Sequence, residues 1–288
     1  ILEVRDLQVY FSVREGMAKA VDGVSFRLHR GETLGLVGES GCGKTVTALS
    51  ILRLLDEPPA RYHGGAIYFD GQDLLQADES EMRGIRGNTV SMIFQEPMTS
   101  LNPVLSIGRQ IDEVLRNHLH LKAAEARRRS VELLGRGGIP SPDQRIRAYP
   151  HQLSGGMRQR VMIAIALACN PHVLIADEPT TALDVTIQAQ ILDLIQQLRA
   201  DLGTSVLLIT HDLGVIAETA ERVAVMYAGR IVEEADVGTI FKNPAHPYTQ
   251  AFIDRCPMAI ERCRGTIPDL VEIDAGHFVR CWPATGRY

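Results

Sequence analysis

Long apolar runs are missing from this sequence, and so is an excess of positive charge. The longest apolar run, Val161–Cys169, is nine residues long, whereas a membrane-spanning helix needs about 20. The formal net charge is −5, which gives no reason to expect bulk binding to nucleic acid. The apolar run is therefore interpreted as a buried helix, and any membrane role would depend on partner subunits.

Secretion signals and regularly paired cysteines are also missing. The first residues do not show a signal-peptide pattern, and the five cysteines are an odd number in a chain of 288 residues, which is too long to need disulfide support. We therefore expect a chain that works in a reducing cytoplasm. Cys42 and Cys169 fall in a loop and in a buried helix, where they are expected to act as small apolar residues.

The stretch Gly38–Thr45 fits the pattern G-x-x-x-x-G-K-[ST] of a phosphate-binding loop, called the phosphate loop below. An apolar run of strand length, Thr33–Val37, precedes it, and Val46–Leu52 can open a helix. Glycines let backbone N–H groups turn toward phosphate oxygens, and a helix N-terminus adds partial positive charge. The flanking strand and helix favour this interpretation over an accidental Gly-rich turn. The predicted nucleotide-binding residues here are Gly38, Ser40, Gly41, Cys42, Gly43, Lys44, Thr45 and Val46, with Lys44 directed at the β- and γ-phosphates and the Thr45 hydroxyl at Mg²⁺.

Three further strands of buried type end in polar side chains. These side chains are Gln95 after the strand 88–94, Asp177 and Glu178 at the end of Val173–Glu178, and His211 after Val206–Thr210. Ligands of open α/β sheets lie beyond the carboxyl ends of the strands, so these groups are expected to face one crevice together with Lys44. Two adjacent carboxylates at a buried strand end are costly unless a cation or a substrate compensates them.

Beside a phosphate loop, the two carboxylates are expected to divide the work. Asp177 would position Mg²⁺ through water, and Glu178 would orient or deprotonate an attacking water. His211 would contact the γ-phosphate. Taken singly, each residue has an ordinary alternative: an acidic turn, a structural histidine or a surface glutamine. The convergence of four strand ends favours the functional interpretation.

A second Gly-rich stretch, Leu153–Met157, opens a long apolar helix that stops at Asn170–Pro171. Ser154 is a natural N-cap for this helix. Gly155 and Gly156 expose backbone N–H groups to an approaching anion, and a structural cap alone would not need both glycines.

The rest of the chain shows three kinds of pattern. Residues 1–30 alternate like short antiparallel strands, Leu2–Val4, Leu7–Val9 and Val24–Leu28. Tyr10 and Phe11 end the second of these, where an aromatic ring either stacks on a base or packs in the core, and spacing favours neither. Residues 101–150 show helical spacing, which indicates an inserted helical subdomain, and its arginines 127–129 are interpreted as a solvated helix face.

The end of the sequence carries three cysteines, Cys256, Cys263 and Cys281, after the proline-punctuated stretch Phe241–Thr249. Their spacing is too irregular for a zinc ribbon. Three thiols within 26 residues could hold an iron–sulfur cluster.

Together, these motifs resemble those of the ATP-binding cassette (ABC) ATPases over about residues 1–250. The phosphate loop is similar to Walker A, Val173–Asp177 with Glu178 to Walker B, Gln95 to the Q-loop, Leu153–Met157 to the signature, Thr181–Asp184 with its Asp184 to the D-loop, and His211 to the switch histidine. Phe11 falls where that family has its adenine-stacking aromatic residue, with Tyr10 as the second choice.

This resemblance implies an α/β fold. It would have a RecA-like P-loop core, an N-terminal antiparallel β subdomain, an inserted α-helical subdomain at about 97–160 and a small cysteine-bearing extension. The nucleotide-binding domain would cover residues 1–245 and the extension residues 246–288. The family works as head-to-tail dimers, so Ser154, Gly155 and Gly156 would meet a γ-phosphate held by the partner subunit.

Finer features resemble one branch, the oligopeptide and dipeptide importer ATPases. They are the stretches Gln95–Pro103, Tyr149–Gln152 and His246–Thr249. This implies ATP hydrolysis coupled to peptide uptake, with Glu178, His211 and Gln95 as catalytic residues. ATP and Mg²⁺ would be the cofactors, with Thr45, Gln95 and Asp177 around the metal. The implied partners are a second ABC subunit, identical or paralogous, two transmembrane permease subunits and a solute-binding protein outside the membrane, with no nucleic acid. The chain would lie at the cytoplasmic face of the membrane.

The same branch often carries a C-terminal [4Fe–4S] cluster, and the resemblance makes Cys256, Cys263 and Cys281 three of its ligands. A fourth cysteine expected shortly before Arg255 is not found, and there are two interpretations: the linker there is truncated, or residues are missing from the sequence before Cys256. Three alternatives to peptide import remain. One is import of nickel or another small solute. Another is a soluble ABC protein of DNA repair or translation, which would usually carry two cassettes or a long coiled coil. The third is a non-hydrolysing module, against which Glu178 and His211 argue.

Overall fold

Two sheets organise the chain, of which the computed structural model describes residues 1–95, 100–181, 184–253, 271–274 and 277–279. The first is antiparallel and has the strand order β2-β1-β4-β5. Its strands are β1 (Leu2–Val13), β2 (Gly16–Leu28), β4 (Ala60–Phe69) and β5 (Gln72–Asp73). A separate antiparallel pair is formed by β11 (Val271–Asp274) and β12 (His277–Val279).

The N-terminal strand differs from the prediction, because the two short strands predicted at Leu2–Val4 and Leu7–Val9 are one strand, β1. Its pairing with β2 shifts register between Val4 and Leu7, and Asp6 has a φ of 45°. The extra residue at this irregularity breaks the alternation of apolar and polar side chains, as a β-bulge does. For this reason, the sequence of the continuous strand β1 has the alternation pattern of two short strands.

The second sheet is mostly parallel and has the strand order β10-β9-β3-β8-β7-β6. Its strands are β3 (Thr33–Val37), β6 (Val90–Ile93), β7 (Val173–Asp177), β8 (Ser205–Thr210), β9 (Arg222–Tyr227) and β10 (Arg230–Asp236). Only β10 pairs antiparallel within this sheet. Strands β3, β7 and β8 are buried along their whole length, as parallel strands covered on both faces are.

The helices of the described residues surround these sheets. They are α1 (Lys44–Ile51), α2 (Glu79–Ile85), α3 (Ile107–Leu119), α4 (Ala123–Arg136), α5 (Pro142–Arg145), α6 (Gly155–Ala166), α7 (Val185–Leu202), α8 (Leu213–Thr219), α9 (Val237–Lys242) and α10 (Pro247–Ile253). Over the described ranges, no helix combines the length and the apolar character that crossing a bilayer requires.

Helices α3 to α6 form the inserted helical part of the chain. One face of α3 is buried through Ile107, Ile111 and Leu115, and this apolar cluster continues through α4 and α6 into the parallel sheet. The arginine run on α4 is partly exposed, and its Arg127 pairs with Asp112 at 3.0 Å. The predicted α/β fold with a P-loop core, an antiparallel β subdomain and inserted helices is therefore confirmed. The three cysteines of the predicted extension lie outside the described residues.

Candidate nucleotide-binding and hydrolysis site

The phosphate loop connects β3 to α1 and is wedged between β2 and the end of β9. Gly43, the N-cap of α1, has a φ of 107°. A Cβ on Gly43 would lie 2.3 Å from the carbonyl oxygen of Ala20, and one on Gly38 would lie 2.1 Å from that of Met226. Because neither position has room for a side chain, the glycines allow the loop to close tightly over the N-terminus of α1.

The charged residue of the loop, Lys44, is buried at 5% exposure. Its Nζ donates hydrogen bonds to the carbonyl oxygens of Gly38 and Glu39, each at 2.8 Å. These carbonyls orient the ammonium group without neutralising its charge, so the loop can offer a positive charge to a phosphate. Around it, Ser40, Gly41 and Thr45 are exposed, Val46 is half-buried, and Cys42 and Gly43 are buried.

Asp177 ends β7 next to the phosphate loop. The Thr45 hydroxyl donates a hydrogen bond to Asp177 Oδ1 at 3.3 Å, and Asp177 is only 1% exposed. The pKa of Asp177 is raised to about 6, chiefly by burial and also by the neighbouring charge of Glu178, against the hydrogen bond from Thr45 and the charge of Lys44. A buried carboxylate with uncompensated charge beside a hydroxyl is a suitable oxygen donor set for Mg²⁺.

Glu178 is contacted by three side chains from three segments. Gln95 Nε2 donates to its Oε2 at 3.1 Å, the Thr181 hydroxyl donates to the same oxygen at 2.8 Å, and His211 Nδ1 lies 3.2 Å from Oε1. Glu178 also has a φ of 45°, which is unusual for a residue with a side chain. Its N–H donates to the carbonyl oxygen of Ile209 at 2.8 Å, which holds this turn against the end of β8.

The contact with Glu178 decides how His211 can act. An ionised carboxylate only accepts hydrogen bonds, so a hydrogen bond at this contact assigns the proton to Nδ1 of His211, the ring nitrogen that faces Glu178. In this tautomer of the neutral ring, Nε2 carries no proton and can only accept a hydrogen bond. A hydrogen bond from His211 to a phosphate oxygen therefore requires a second proton on the ring or release of Glu178.

The strand order explains why these groups meet. Strands β3, β8, β7 and β6 are adjacent and parallel, so the phosphate loop, His211, the carboxylates at 177 and 178, and Gln95 follow the carboxyl ends of four neighbouring strands. The crevice beyond such ends is where open α/β sheets bind ligands. The sequence places polar groups at four strand ends, and the fold brings them to one edge.

The stretch Ser154–Gly156, called the signature corner below, lies at the N-terminal end of α6 and not at the end of a strand. Ser154 is exposed, and its Oγ accepts the N–H of Met157 at 3.3 Å as the N-cap of α6. In the described part of the chain, no hydrogen bond joins this corner to the phosphate loop. Packing also favours glycine at position 156, because a Cβ there would lie 2.9 Å from Cγ2 of Ile187 on α7. Of the corner, Ser154 is therefore the residue most open to solvent.

Asp184, the predicted D-loop residue, acts as the N-cap of α7. Its Oδ1 accepts the N–H of Ile187 at 2.9 Å. One turn further, Gln188 Nε2 donates to Asp212 Oδ2 at 3.3 Å, and Asp212 follows His211 directly. The start of α7 is therefore connected to the segment that carries His211.

The structure distinguishes the two aromatic candidates for base stacking. Tyr10 is buried, its hydroxyl donates to Asp22 Oδ1 at 2.5 Å, and its ring stacks on His63. Phe11 is half-buried and pairs with Ala18 on β2, two residues before the carbonyl group that contacts Gly43. Tyr10 is thus engaged in the β subdomain, whereas Phe11 is paired with β2, the strand whose Ala20 carbonyl lies against the phosphate loop.

The described cysteines are buried and unpaired by disulfides. Burial raises the pKa of Cys42 and of Cys169, the latter to about 11, so both stay protonated. Within the ranges 1–95, 100–181 and 184–253, no group of three or more His, Cys, Asp or Glu side chains is arranged to hold a metal ion. The predicted iron–sulfur ligands Cys256, Cys263 and Cys281 lie outside the described residues.

Three contacts near the site were not expected from the sequence. Thr181 binds Glu178, Gln159 Nε2 donates to the carbonyl oxygen of Pro179, and the hydroxyl of Tyr248 accepts the N–H of Glu39. Thr181 and Tyr248 belong to stretches that carry the family resemblance, which was the available signal. Pattern alone does not reveal which atoms they contact.

The fold and the phosphate loop define a P-loop nucleoside-triphosphate-binding protein. The family model of the ABC transporter matches residues 21–181. The oligopeptide transport ATP-binding proteins AppD and OppD of Bacillus subtilis are 49% and 51% identical to this chain. The alignments cover 98% and 96% of the chain and 96% and 79% of those proteins. The chain therefore belongs to the ABC transporter family, as one of its ATPase cassettes.

A solved structure supports the same conclusion, that the fold is that of an ABC ATPase cassette. The ATP-binding cassette MJ0796, in a dimeric post-hydrolysis state bound to ADP and Pi, superposes with a TM-score of 0.74 at 28% identity. The match covers 82% of this chain and 99% of that cassette. The alignment with AppD extends over 315 positions, more than the 288 residues of this chain, so AppD carries inserted residues that this chain lacks.

The burial of Asp177 leads to a stability prediction. Because its pKa is raised from 3.8 to about 6 on folding, the folded protein holds this proton more tightly than the unfolded chain does. That contribution to stability is present below about pH 4 and is lost as the pH rises through about 6. We expect Asp177→Asn to stabilise the nucleotide-free protein at about pH 7, by up to about 3 kcal/mol.

Chemical denaturation of wild type and variant, without nucleotide or Mg²⁺, measures this difference as a function of pH. The difference should shrink as the pH falls toward about 4, where both forms are neutral. A variant that is less stable than wild type at neutral pH, or equally shifted at every pH, would contradict the assigned burial cost.

Proposed function

We propose that this chain is the ATP-hydrolysing subunit of an importer that takes up oligopeptides or dipeptides. The observation that supports hydrolysis most strongly is the pair of carboxylates at the end of β7, with Asp177 bonded to Thr45 and Glu178 bonded to Gln95 and approached by His211. The names of AppD and OppD, at about half identity over nearly the whole chain, support the solute class.

ATP would bind with its phosphates on the phosphate loop. The proposed contacts are the backbone N–H groups of the loop, the Lys44 ammonium group and, for the base, the ring of Phe11. Positively charged groups and N–H donors on a helix N-terminus favour a polyanion. The residues proposed to bind ATP are Phe11, Gly38, Ser40, Gly41, Cys42, Gly43, Lys44, Thr45 and Val46.

Mg²⁺ fits the oxygen donors beside the loop. Thr45 and Asp177 would hold it, directly or through water, and Gln95 would approach it when its bond to Glu178 opens. The raised pKa of Asp177 supports this, because a nearby cation would remove the penalty that burial imposes on the charged carboxylate. Bound there with ATP, the ion would neutralise charge on the phosphates.

Glu178 is proposed to orient or deprotonate the water that attacks the γ-phosphate. Gln95, Thr181 and His211 keep its side chain at the crevice. His211 would turn from Glu178 to the γ-phosphate during the reaction, which moves its proton donor to the charge that develops there. Lys44 would stabilise the same charge from the other side.

The site of one chain is proposed to be completed by a second cassette, either a copy of this chain or a paralogue. The signature corner, Ser154 with the N–H groups of Gly155 and Gly156, would contact a γ-phosphate held by the partner, and Asp184 would lie at the interface. The exposure of Ser154 supports this, and MJ0796 is a dimer in its solved structure. ATP would then join the two halves, and hydrolysis would release them.

Two transmembrane permease subunits and an extracytoplasmic solute-binding protein are the proposed further partners, with this chain bound peripherally at the cytoplasmic face. The test combines the chain with such subunits in proteoliposomes that contain ATP, and offers radiolabelled peptides or nickel ions. ATP-dependent peptide uptake would support the proposal. Uptake of nickel without peptide would select the alternative solute, and vigorous ATP hydrolysis without any permease binding would favour a soluble ABC protein.

An iron–sulfur cluster on Cys256, Cys263 and Cys281 is a separate proposal, and no step of ATP hydrolysis depends on it. Three thiolates leave one ligand of a [4Fe–4S] cluster to another donor. Anaerobically purified protein should contain iron and acid-labile sulfide in about equal amounts. Zinc alone, or the absence of any metal, would contradict it.

A further inference from the structure

The chain that follows β10 packs back against the phosphate loop. The binding of ATP does not by itself account for this contact. Helix α10 places Tyr248 beside the first residues of the loop, and the N–H of Glu39 donates to the Tyr248 hydroxyl oxygen at 3.1 Å. The two residues are 209 positions apart in the sequence. A contact over such a distance needs the surrounding structure to hold it.

The ring of Tyr248 is held by aromatic neighbours. It packs against Tyr227, at the end of β9, with 4.4 Å between the ring centroids, and against Phe252, one turn along α10, with 5.7 Å. Burial raises the pKa of Tyr248, so its hydroxyl remains neutral and can accept the N–H. The ring packing leaves the hydroxyl little freedom to leave Glu39.

The approach of α10 to the loop is fixed by a carboxylate on β10. Glu233 accepts the N–H of Ala245 on Oε1 at 2.7 Å and the N–H of His246 on Oε2 at 3.0 Å. Burial alone would raise the pKa of Glu233, yet these donors hold the pKa below its ordinary value. The N–H of Tyr248 in turn donates to His246 Nδ1 at 3.1 Å. The start of α10 is therefore tied to the sheet.

The Glu39 peptide is thus held from both sides. Its N–H is bound by Tyr248, and its carbonyl oxygen accepts Lys44 Nζ at 2.8 Å and the N–H of Cys42 at 3.3 Å. Fixing this peptide orders the loop that precedes the phosphate-facing N–H groups. Less conformational freedom then has to be lost when a nucleotide binds.

We propose that Tyr248 is a positioning residue for ATP binding: through the Glu39 peptide it holds the phosphate loop in its binding conformation, with Glu233 anchoring the helix that carries it. The inference rests on the proposed binding of ATP at this loop. The stretch His246–Thr249 would then contribute to nucleotide affinity. Structural changes in the segment after β10 would alter the ATP site through this contact.

Tyr248→Phe tests the hydroxyl while keeping the ring. We expect the Kd for ATP to rise about three- to tenfold, as the loss of one hydrogen bond at the loop predicts, and kcat at saturating ATP to stay within about twofold. The Glu39 amide should exchange its hydrogen faster, and thermal stability should change little. Tyr227→Phe is the matched control, since it removes a neighbouring hydroxyl and leaves the bond to Glu39 intact.

Glu233→Gln provides a second arm, because an amide nitrogen cannot accept one of the two N–H groups that Glu233 holds. It should weaken ATP binding in the wild type but add little in the Tyr248→Phe background, as expected of residues that act in series. Equal Kd values for wild type and Tyr248→Phe would overturn the inference. Absence of ATP binding by the wild type itself would instead overturn the proposed function.

Discussion

Replacing Glu178 by glutamine is expected to lower kcat for ATP hydrolysis by about 10²- to 10⁴-fold, the range for loss of a general base, with ATP affinity within about threefold of wild type. Glutamine matches glutamate in shape and keeps one acceptor oxygen for Gln95, Thr181 or His211. Only the negative charge and the ability to take a proton are lost. The variant should therefore bind ATP, close with its partner and remain closed.

Single-turnover hydrolysis and equilibrium binding measure the two effects separately. The matched control is Glu125→Gln, which removes a carboxylate from the exposed first turn of α4 and should leave both parameters unchanged. Near-normal turnover by Glu178→Gln would remove Glu178 from its proposed role. Loss of ATP binding would show instead that its charge organises the phosphate loop.

The second large effect is expected at Ser154. Aspartate is as good an N-cap as serine, so Ser154→Asp should preserve α6 while placing a negative charge where the partner's γ-phosphate is proposed to lie. Like charges brought together in an interface cost several kcal/mol, and we expect ATP turnover to fall by about 10²-fold. Binding of ATP to the separate chain should be unaffected, because the signature corner does not contact its own phosphate loop.

Asparagine is the control at this position. It caps helices as well as aspartate does but carries no charge, so Ser154→Asn should retain most of the activity that Ser154→Asp loses. Thermal unfolding should be alike for the two variants. If the two variants hydrolyse ATP at equal rates, the proposed contact between this corner and a phosphate is wrong.

Much of the site could be placed from the sequence because its chemistry lies at the ends of strands. A buried apolar run followed by Asp177 and Glu178, or by His211, has few explanations in a parallel sheet. The phosphate loop specifies its own surroundings, because its glycines and lysine need a strand before them and a helix after them. These are local signals, and the order β3-β8-β7-β6 brings them together.

Contacts between distant segments could not be predicted. Nothing in the pattern of β1 shows that Tyr10 bonds to Asp22 while Phe11 makes no such bond, because successive side chains on a strand differ only in the face they occupy. The bulge at Asp6 likewise has no sequence signature beyond a break in alternation. The bond from Glu39 to Tyr248 depends on how α10 docks, which is decided by Glu233 and by ring packing.

In the proposed dimer, each chain contributes half of two sites, and this division is the central claim. Ser154→Asp keeps the phosphate loop and loses the signature corner, whereas Lys44→Ala loses the charge of the loop and keeps the corner. Each variant alone should be inactive. A mixed dimer of the two contains one intact composite site, formed by the loop of one subunit and the corner of the other.

The most direct measurement is therefore the ATPase rate of the two inactive variants after they are mixed in equal amounts, with the wild-type chain as the reference. We predict recovery of about a quarter of the wild-type rate, since random exchange makes half of the dimers mixed and each mixed dimer has one working site of two. A mixture that stays as inactive as its components, while the wild type hydrolyses ATP, would contradict a site shared between subunits.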